Sequence, residues 1–186
     1  MRVPSNMKSR AGRITIGLII VFFASCTSIP EKAAPVGNFE IQKYLGTWYE
    51  IARFDFRFER NLDNTRAQYS LSKNGNVVVL NSGYDFRKGE WRSAKGKAKF
   101  RGDKTNAALK VSFFGPFYAG YNVIALDSEY RYALVAGRNL NYLWILSREK
   151  SLPEEVKRQY LEIARKAGYD TSRLIWIKHD KPSPFE

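Results

Sequence analysis

Ala94-Lys95-Gly96-Lys97-Ala98-Lys99-Phe100 alternates small or apolar residues with lysines, one for one. Successive side chains of a β-strand point to opposite faces, so the lysines face water and Ala94, Gly96, Ala98 and Phe100 face inwards. The same alternation recurs nearby. Leu109, Val111 and Phe113 are interleaved with Lys110 and Ser112, and Ala67, Tyr69 and Leu71 with Gln68 and Ser70. From Thr47 onwards the chain is a series of such runs, rich in Val, Ile, Tyr, Phe and Trp. Strands are expected near 47–55, 65–72, 76–84, 91–100, 107–114, 118–126, 130–137 and 141–148. Between them lie turn clusters such as Lys73-Asn74-Gly75-Asn76, Arg101-Gly102-Asp103 and Gly137-Arg138-Asn139. The fold class is therefore all-β, and eight antiparallel strands in meander order close into a barrel that leaves no free edge.

Beyond the eighth strand the period changes to that of a helix. Pro153-Glu154-Glu155 opens it, Ser151 is the expected cap and Gly168 the stop. Val156, Tyr160, Ile163, Ala164 and Ala167 share one face, so the helix is expected to pack on the outside of the barrel. Leu174-Ile175-Trp176-Ile177 reads as a short extra strand. A chain of 186 residues, 44% hydrophobic and 26% charged, suits one domain with a buried core. The domain is expected over 39–180, with 181–186 as a loose C-terminal tail.

Small residues facing inwards carry a functional implication. A small barrel packed solid needs bulky interior residues, whereas Ala94, Gly96 and Ala98 along one strand leave room for a ligand unless large neighbours fill it. Strand parity puts Tyr69 and Phe113 on the walls of that space. Tyr121 opposes Asn122 in parity and is assigned inwards, and Trp144 is added as an apolar residue on a strand with two apolar faces.

The N-terminus has a different character. Arg2, Lys8, Arg10 and Arg13 precede the apolar run 14–23, the pattern of an export signal over residues 1–25. Phe23-Ala24-Ser25-Cys26 then resembles the lipobox of bacterial lipoproteins, in which the cysteine is acylated and becomes the new N-terminus. Thr27, which is not Asp, is compatible with transfer to the outer membrane. Residues 26–38, with Pro30, Pro35 and Gly37, are expected to form a lipidated start and a flexible tether. Removing the signal leaves 27 basic against 18 acidic residues, a charge of +9. An exported chain meets little nucleic acid, so a nucleic-acid partner is not expected. Anionic lipid headgroups or a merely soluble basic surface both accommodate the charge.

Gly46-Thr47-Trp48-Tyr49-Glu50-Ile51-Ala52-Arg53 resembles the opening motif of lipocalins, where Gly-x-Trp follows a short helical turn. Asp127-Ser128-Glu129-Tyr130 is similar to the family's second motif and Arg148 to the arginine of its third. With the lipobox, the chain resembles the bacterial outer-membrane lipocalins related to apolipoprotein D, over 38–178. The resemblance implies an eight-stranded up-and-down lipocalin barrel anchored through Cys26 to the outer membrane and facing the periplasm. It assigns Gly46, Trp48, Asp127, Tyr130 and Arg148 to structure, with the guanidinium of Arg148 laid over Trp48 to close the barrel floor. Because the family's first inter-strand loop, here Asp55 to Asn64, overhangs the open end, Phe56 and Phe58 are each candidates to touch ligand, and Phe54 and Phe56 join the expected ligand contacts. Phe56 and Phe58 equally suit a role in covering the core at the rim.

Chemistry for catalysis is sparse. The single histidine, His179, lies near the tail, and the single cysteine, Cys26, is expected to be acylated. Glu50, Asp55 and Glu59 are conceivable acid–base groups, but charges at a barrel mouth are commonly solvated. No catalytic residue, metal ligand set or cofactor is therefore assigned. Two readings remain open: a fatty-acid or lysophospholipid carrier, or a structural or stress-response envelope lipoprotein with a filled barrel and a protein partner. A second copy of the chain is a further candidate partner.

Overall fold

The computed structural model describes residues 29–185; the signal segment and Cys26 lie outside the described residues. A short helix α1 (Ile41–Tyr44) leads into β1 (Gly46–Phe54), followed by β2 (Leu62–Leu71), β3 (Val77–Asp85), β4 (Glu90–Phe100) and β5 (Ala108–Ser112). Then come β6 (Ala119–Leu126), β7 (Tyr132–Ala136), β8 (Leu143–Ser147), helix α2 (Glu154–Lys166), a 3-10 turn (Thr171–Arg173) and β9 (Leu174–Trp176). Neighbours in sequence pair antiparallel from β1 to β8, and β1 also pairs with β8, which closes an eight-stranded barrel. β9 adds to β1 from outside, with Phe54 opposite Leu174.

The barrel has two cores, one on each face of its wall. Inside, Trp48, Tyr69, Val77, Val79, Ala98, Leu109, Val123, Val135 and Leu146 pack together with Phe39 and Tyr44. Outside, Leu134, Ala136, Leu143 and Ile145 are covered by α2 through Tyr160, Ala164 and Ala167. β7 and β8 thus bury both faces, which is why they read as continuous apolar runs and β4, backed by water, reads as an alternation. The helix begins after Pro153 without a side-chain cap, so Ser151 does not cap it. Pro153 itself stands at the cap position, where its ring fixes φ at −58° and its side chain offers no acceptor. Gly168, at φ 93°, stops it as expected.

A bulge in β1 corrects one expected contact. Plain parity from Trp48 would place Glu50, Ala52 and Phe54 inside, but the register shifts between Glu50 and Ala52. An extra residue in one strand flips every side chain beyond it to the other face. Arg53 consequently points inwards. Phe54 turns out, 1% exposed, against Tyr169 at 5.9 Å and beneath the Arg173 guanidinium at 4.8 Å. It belongs to the outer core and cannot line the cavity.

Both expected loose ends are docked. Val36 donates to the Val123 carbonyl at 2.9 Å, accepts from the Ala107 N–H, and leads Phe39 into the floor; Ala33 is 3% exposed. Residues 29–38 are thus part of the packed domain and not a free tether. At the other end, a second bulge, between Asp63 and Arg66, releases the Asn64 N–H from the ladder. It donates to the Lys178 carbonyl at 2.8 Å, while the Asn64 side chain bonds Asp180 and the Lys181 N–H. The ring of Phe185 lies 6.3 Å from that of Trp91. The Asp180 to Phe185 stretch is strapped to the barrel because the bulge offers it unpaired backbone.

Candidate ligand cavity

The floor is built first. Gly46 has φ 93°, and a Cβ there would come within 3.3 Å of the Arg148 guanidinium. Glycine therefore permits both the turn out of α1 and the approach of the arginine. Arg148 lies 4.0 Å from the centre of the Trp48 ring and donates to the carbonyls of Thr47 (2.7 Å), Lys43 (2.9 Å) and Tyr130 (3.1 Å). Trp48 is fully buried and donates to the Tyr44 carbonyl at 2.8 Å. Asp127 accepts from the Arg131 and Tyr132 N–H groups, which shapes the turn in which Tyr130 adopts φ 56°. All five motif residues thus hold backbone, aromatic ring or turn together at the closed end.

Above the floor stands a layer of tyrosines. The hydroxyl of Tyr121 lies 2.7 Å from that of Tyr44 and accepts from that of Tyr69 at 2.8 Å. Burial pushes all three phenols up, so each stays neutral and serves as a hydrogen-bonding group.

The upper half differs in exposure. Asn81, Gly96, Val111, Phe113, Tyr121 and Trp144 lie on the inward face yet are only half-buried, and Ala94 is exposed. Most lower inward residues, Val77, Ala98, Leu109, Val123, Val135 and Leu146, are sealed, while Phe100 and Leu126 are half-buried where they border the closed end. An inward residue that still meets solvent lines a space open to it. Ala98, 3% exposed between Val77 and Val111, belongs to the packed floor. At Gly96 the room is taken by Phe113, whose ring would lie 2.8 Å from an added Cβ. Of the three small residues, Ala94 alone opens to the mouth. Its cross-strand partner Asn81 has a buried side-chain oxygen without a hydrogen-bond partner.

The bulge adds a charged cluster that sequence parity did not reveal. Arg53, 1% exposed, donates to the carbonyls of Glu59 (2.6 Å) and Leu62 (3.0 Å) and pairs with Glu50 at 3.3 Å. Glu50 also accepts from the Thr65 hydroxyl. Glu59 lies 3.7 Å from the Arg53 guanidinium and accepts from the Trp144 indole at 3.2 Å. Its carboxyl is held well above the usual range, first by burial and then by the charge of Glu50, against the pull of Arg53. Glu50 and Glu59 are thus not solvated mouth charges. Asp55 is one, exposed and paired with Arg60. Phe56 stands at the entrance with its ring 5.5 Å from Trp144 and 5.7 Å from Tyr142, while Phe58 projects into solvent. Tyr69, Phe113, Tyr121, Trp144 and Phe56 are therefore brought to one space. Sequence reading missed Tyr44, Arg53, Thr65 and Asn81, of which only Asn81 was available from alternation on β3.

The geometry agrees with what known proteins show. Residues 39–179 match a family described as "Lipocalin-like domain". The chain is 53% identical to the Outer membrane lipoprotein Blc of Citrobacter freundii, over 89% of this chain and 93% of that protein. It is 46% identical to the protein of that name from Vibrio cholerae, over 87% and 95%. Mouse apolipoprotein D is 36% identical over 80% and 79%. Among solved structures, insecticyanin from the tobacco hornworm Manduca sexta superposes with a TM-score of 0.65 at 22% identity, covering 81% of this chain and 86% of that one. On motif geometry, barrel topology and these matches, the chain belongs to the lipocalin family.

Proposed function

We propose that the upper half of the barrel holds a single acyl chain of a fatty acid or lysophospholipid, with the polar head at the mouth. The observation that carries this reading is the contrast between sealed inward residues below and half-buried inward residues above. Burying a sixteen-carbon tail contributes at most about 12 kcal/mol at about 0.8 per methylene. Ordering costs offset much of that, so micromolar to nanomolar affinity is expected. The protein acts as a carrier or store, not an enzyme. Acylation of Cys26 would anchor it to the outer membrane on the periplasmic side, a placement supported by relatives named outer membrane lipoproteins. Native mass spectrometry after titration with palmitate or lysophosphatidylcholine tests the cavity. One bound lipid per chain is expected, and no uptake at micromolar lipid contradicts it.

A second reading has an observation in its favour. Phe113 over Gly96 and Glu59 turned into the barrel both reduce free space, as a filled barrel with a protein partner requires. The same titration separates the two.

A further inference from the structure

Four loops surround the open end: 55–61, 86–89, 113–118 and 137–142. Phe58, Phe86, Phe114 and Phe117 stand on the first three, between 53% and 79% exposed, and Leu140 on the fourth, 40% exposed. Among the described residues these are the only phenylalanines more than half exposed. The rings of Phe58 and Phe114, from different loops, meet at 6.0 Å, so the apolar surface bridges the first and third loops. Rings held out on loop tips give up burial that elsewhere in the barrel stabilises the fold, and a patch of this kind marks an interaction surface.

Charge around the patch identifies the partner. Arg57, Arg60, Arg87, Lys88 and Arg138 are exposed on the same loops. Asp55 and Glu90 are the exposed carboxylates at this rim, and Asp55 is paired with Arg60. The chain enters at the opposite end, through Val36 and Phe39, so it leaves the mouth uncovered. Two copies placed mouth to mouth would set these cations against each other. A surface of phosphates over hydrocarbon fits both features at once: rings enter the acyl boundary and cations remain among the headgroups.

We infer that the loop rim is a docking surface for an anionic phospholipid bilayer. The chain enters at the closed end, so the bilayer met by the mouth is a different one from that which would hold Cys26; docking puts the cavity mouth on that bilayer, and an acyl chain passes between bilayer and barrel without crossing water. This goes beyond the cavity reading and stands on the rim alone.

The test uses the mature chain produced from Thr27, which retains every described residue and carries no acyl group. Co-sedimentation is measured with vesicles of phosphatidylglycerol and phosphatidylethanolamine, and with pure phosphatidylcholine. Tighter binding to the anionic vesicles, weakened by salt, is expected. Phe114→Ser with Phe117→Ser should weaken it at least about tenfold, since two rings lose their apolar transfer. Arg57→Gln, Arg87→Gln and Arg138→Gln together should weaken it about a hundredfold, at about fivefold per cation. Lys95→Gln with Lys99→Gln, on the flank of β4, should retain at least a tenth of the parent's affinity. Melting temperatures and palmitate uptake from solution, both expected unchanged in the rim variants, separate loss of docking from loss of fold or cavity. Absent binding to anionic vesicles, or equal binding by parent and both rim variants, overturns the inference. So does a parent dimer that the phenylalanine variant converts to monomer, which would assign the rim to a second copy.

Discussion

Glu59 and Ala94 are the two positions at which single side chains report most about the cavity. Glu59 shares one guanidinium with Glu50 in a buried cluster, and its folded-state pKa is raised above its ordinary value of 4.5. The folded protein therefore keeps a proton that the unfolded chain releases. That contribution is complete below about pH 4.5 and is lost as pH rises through the folded pKa. Glu59→Gln, which cannot release the proton, should flatten this slope and raise the melting temperature at pH 8 relative to the parent. An identical pH dependence in the two proteins would place the carboxyl in solvent. Ala94 and Ala98 face the same way on β4 but differ in surroundings, one open and one sealed. Ala98→Trp should cost about 1–3 kcal/mol or more in denaturant unfolding, through overpacking. Ala94→Trp should leave stability within about 0.5 kcal/mol, as for an unconstrained surface site, while abolishing acyl-chain binding. Equal costs at both positions would mean that the barrel is filled to its mouth.

At the level of elements, the strands were legible because a wall with water on one side must alternate, and the ends of all eight observed strands fall within about three residues of those expected. Trp48 and Arg148 were legible too, since a motif carries its own geometry. The β1 bulge was not. Nothing in Glu50-Ile51-Ala52-Arg53 marks the extra residue, and the shift is fixed by pairing to β8 and β9. That single residue exchanges Phe54 for Arg53 inside the barrel. The docked ends escaped for a related reason, because proline-rich and charged stretches look like linkers until backbone left unpaired at a bulge receives them. Arg148→Ala tests the floor as a unit. It removes a ring contact and three hydrogen bonds to carbonyls, and should cost on the order of 2–3 kcal/mol in urea unfolding. Fatty-acid affinity should fall by less than about threefold, since the arginine lies below the sealed layer. Intact stability with lost binding would move Arg148 into the site.

As a whole, the molecule is graded from end to end. A closed floor of Trp48 and Arg148 is followed by a sealed apolar layer, a neutral tyrosine layer, a half-open chamber with one charged cluster, and a mouth ringed by phenylalanines and arginines. Apolar contact increases the deeper an acyl chain goes, and the sealed layer sets how far it reaches. The indole of Trp144 stands in the chamber, whereas Trp48 forms the floor beneath the sealed layer and Trp91 and Trp176 are not among the chamber residues. Quenching of tryptophan fluorescence by a bromine-labelled stearate therefore tests the central claim directly. Saturable quenching at one lipid per chain is expected, lost in both Trp144→Phe and Ala94→Trp variants that remain folded. Quenching that persists undiminished in the Trp144→Phe protein would contradict an acyl chain in the upper barrel.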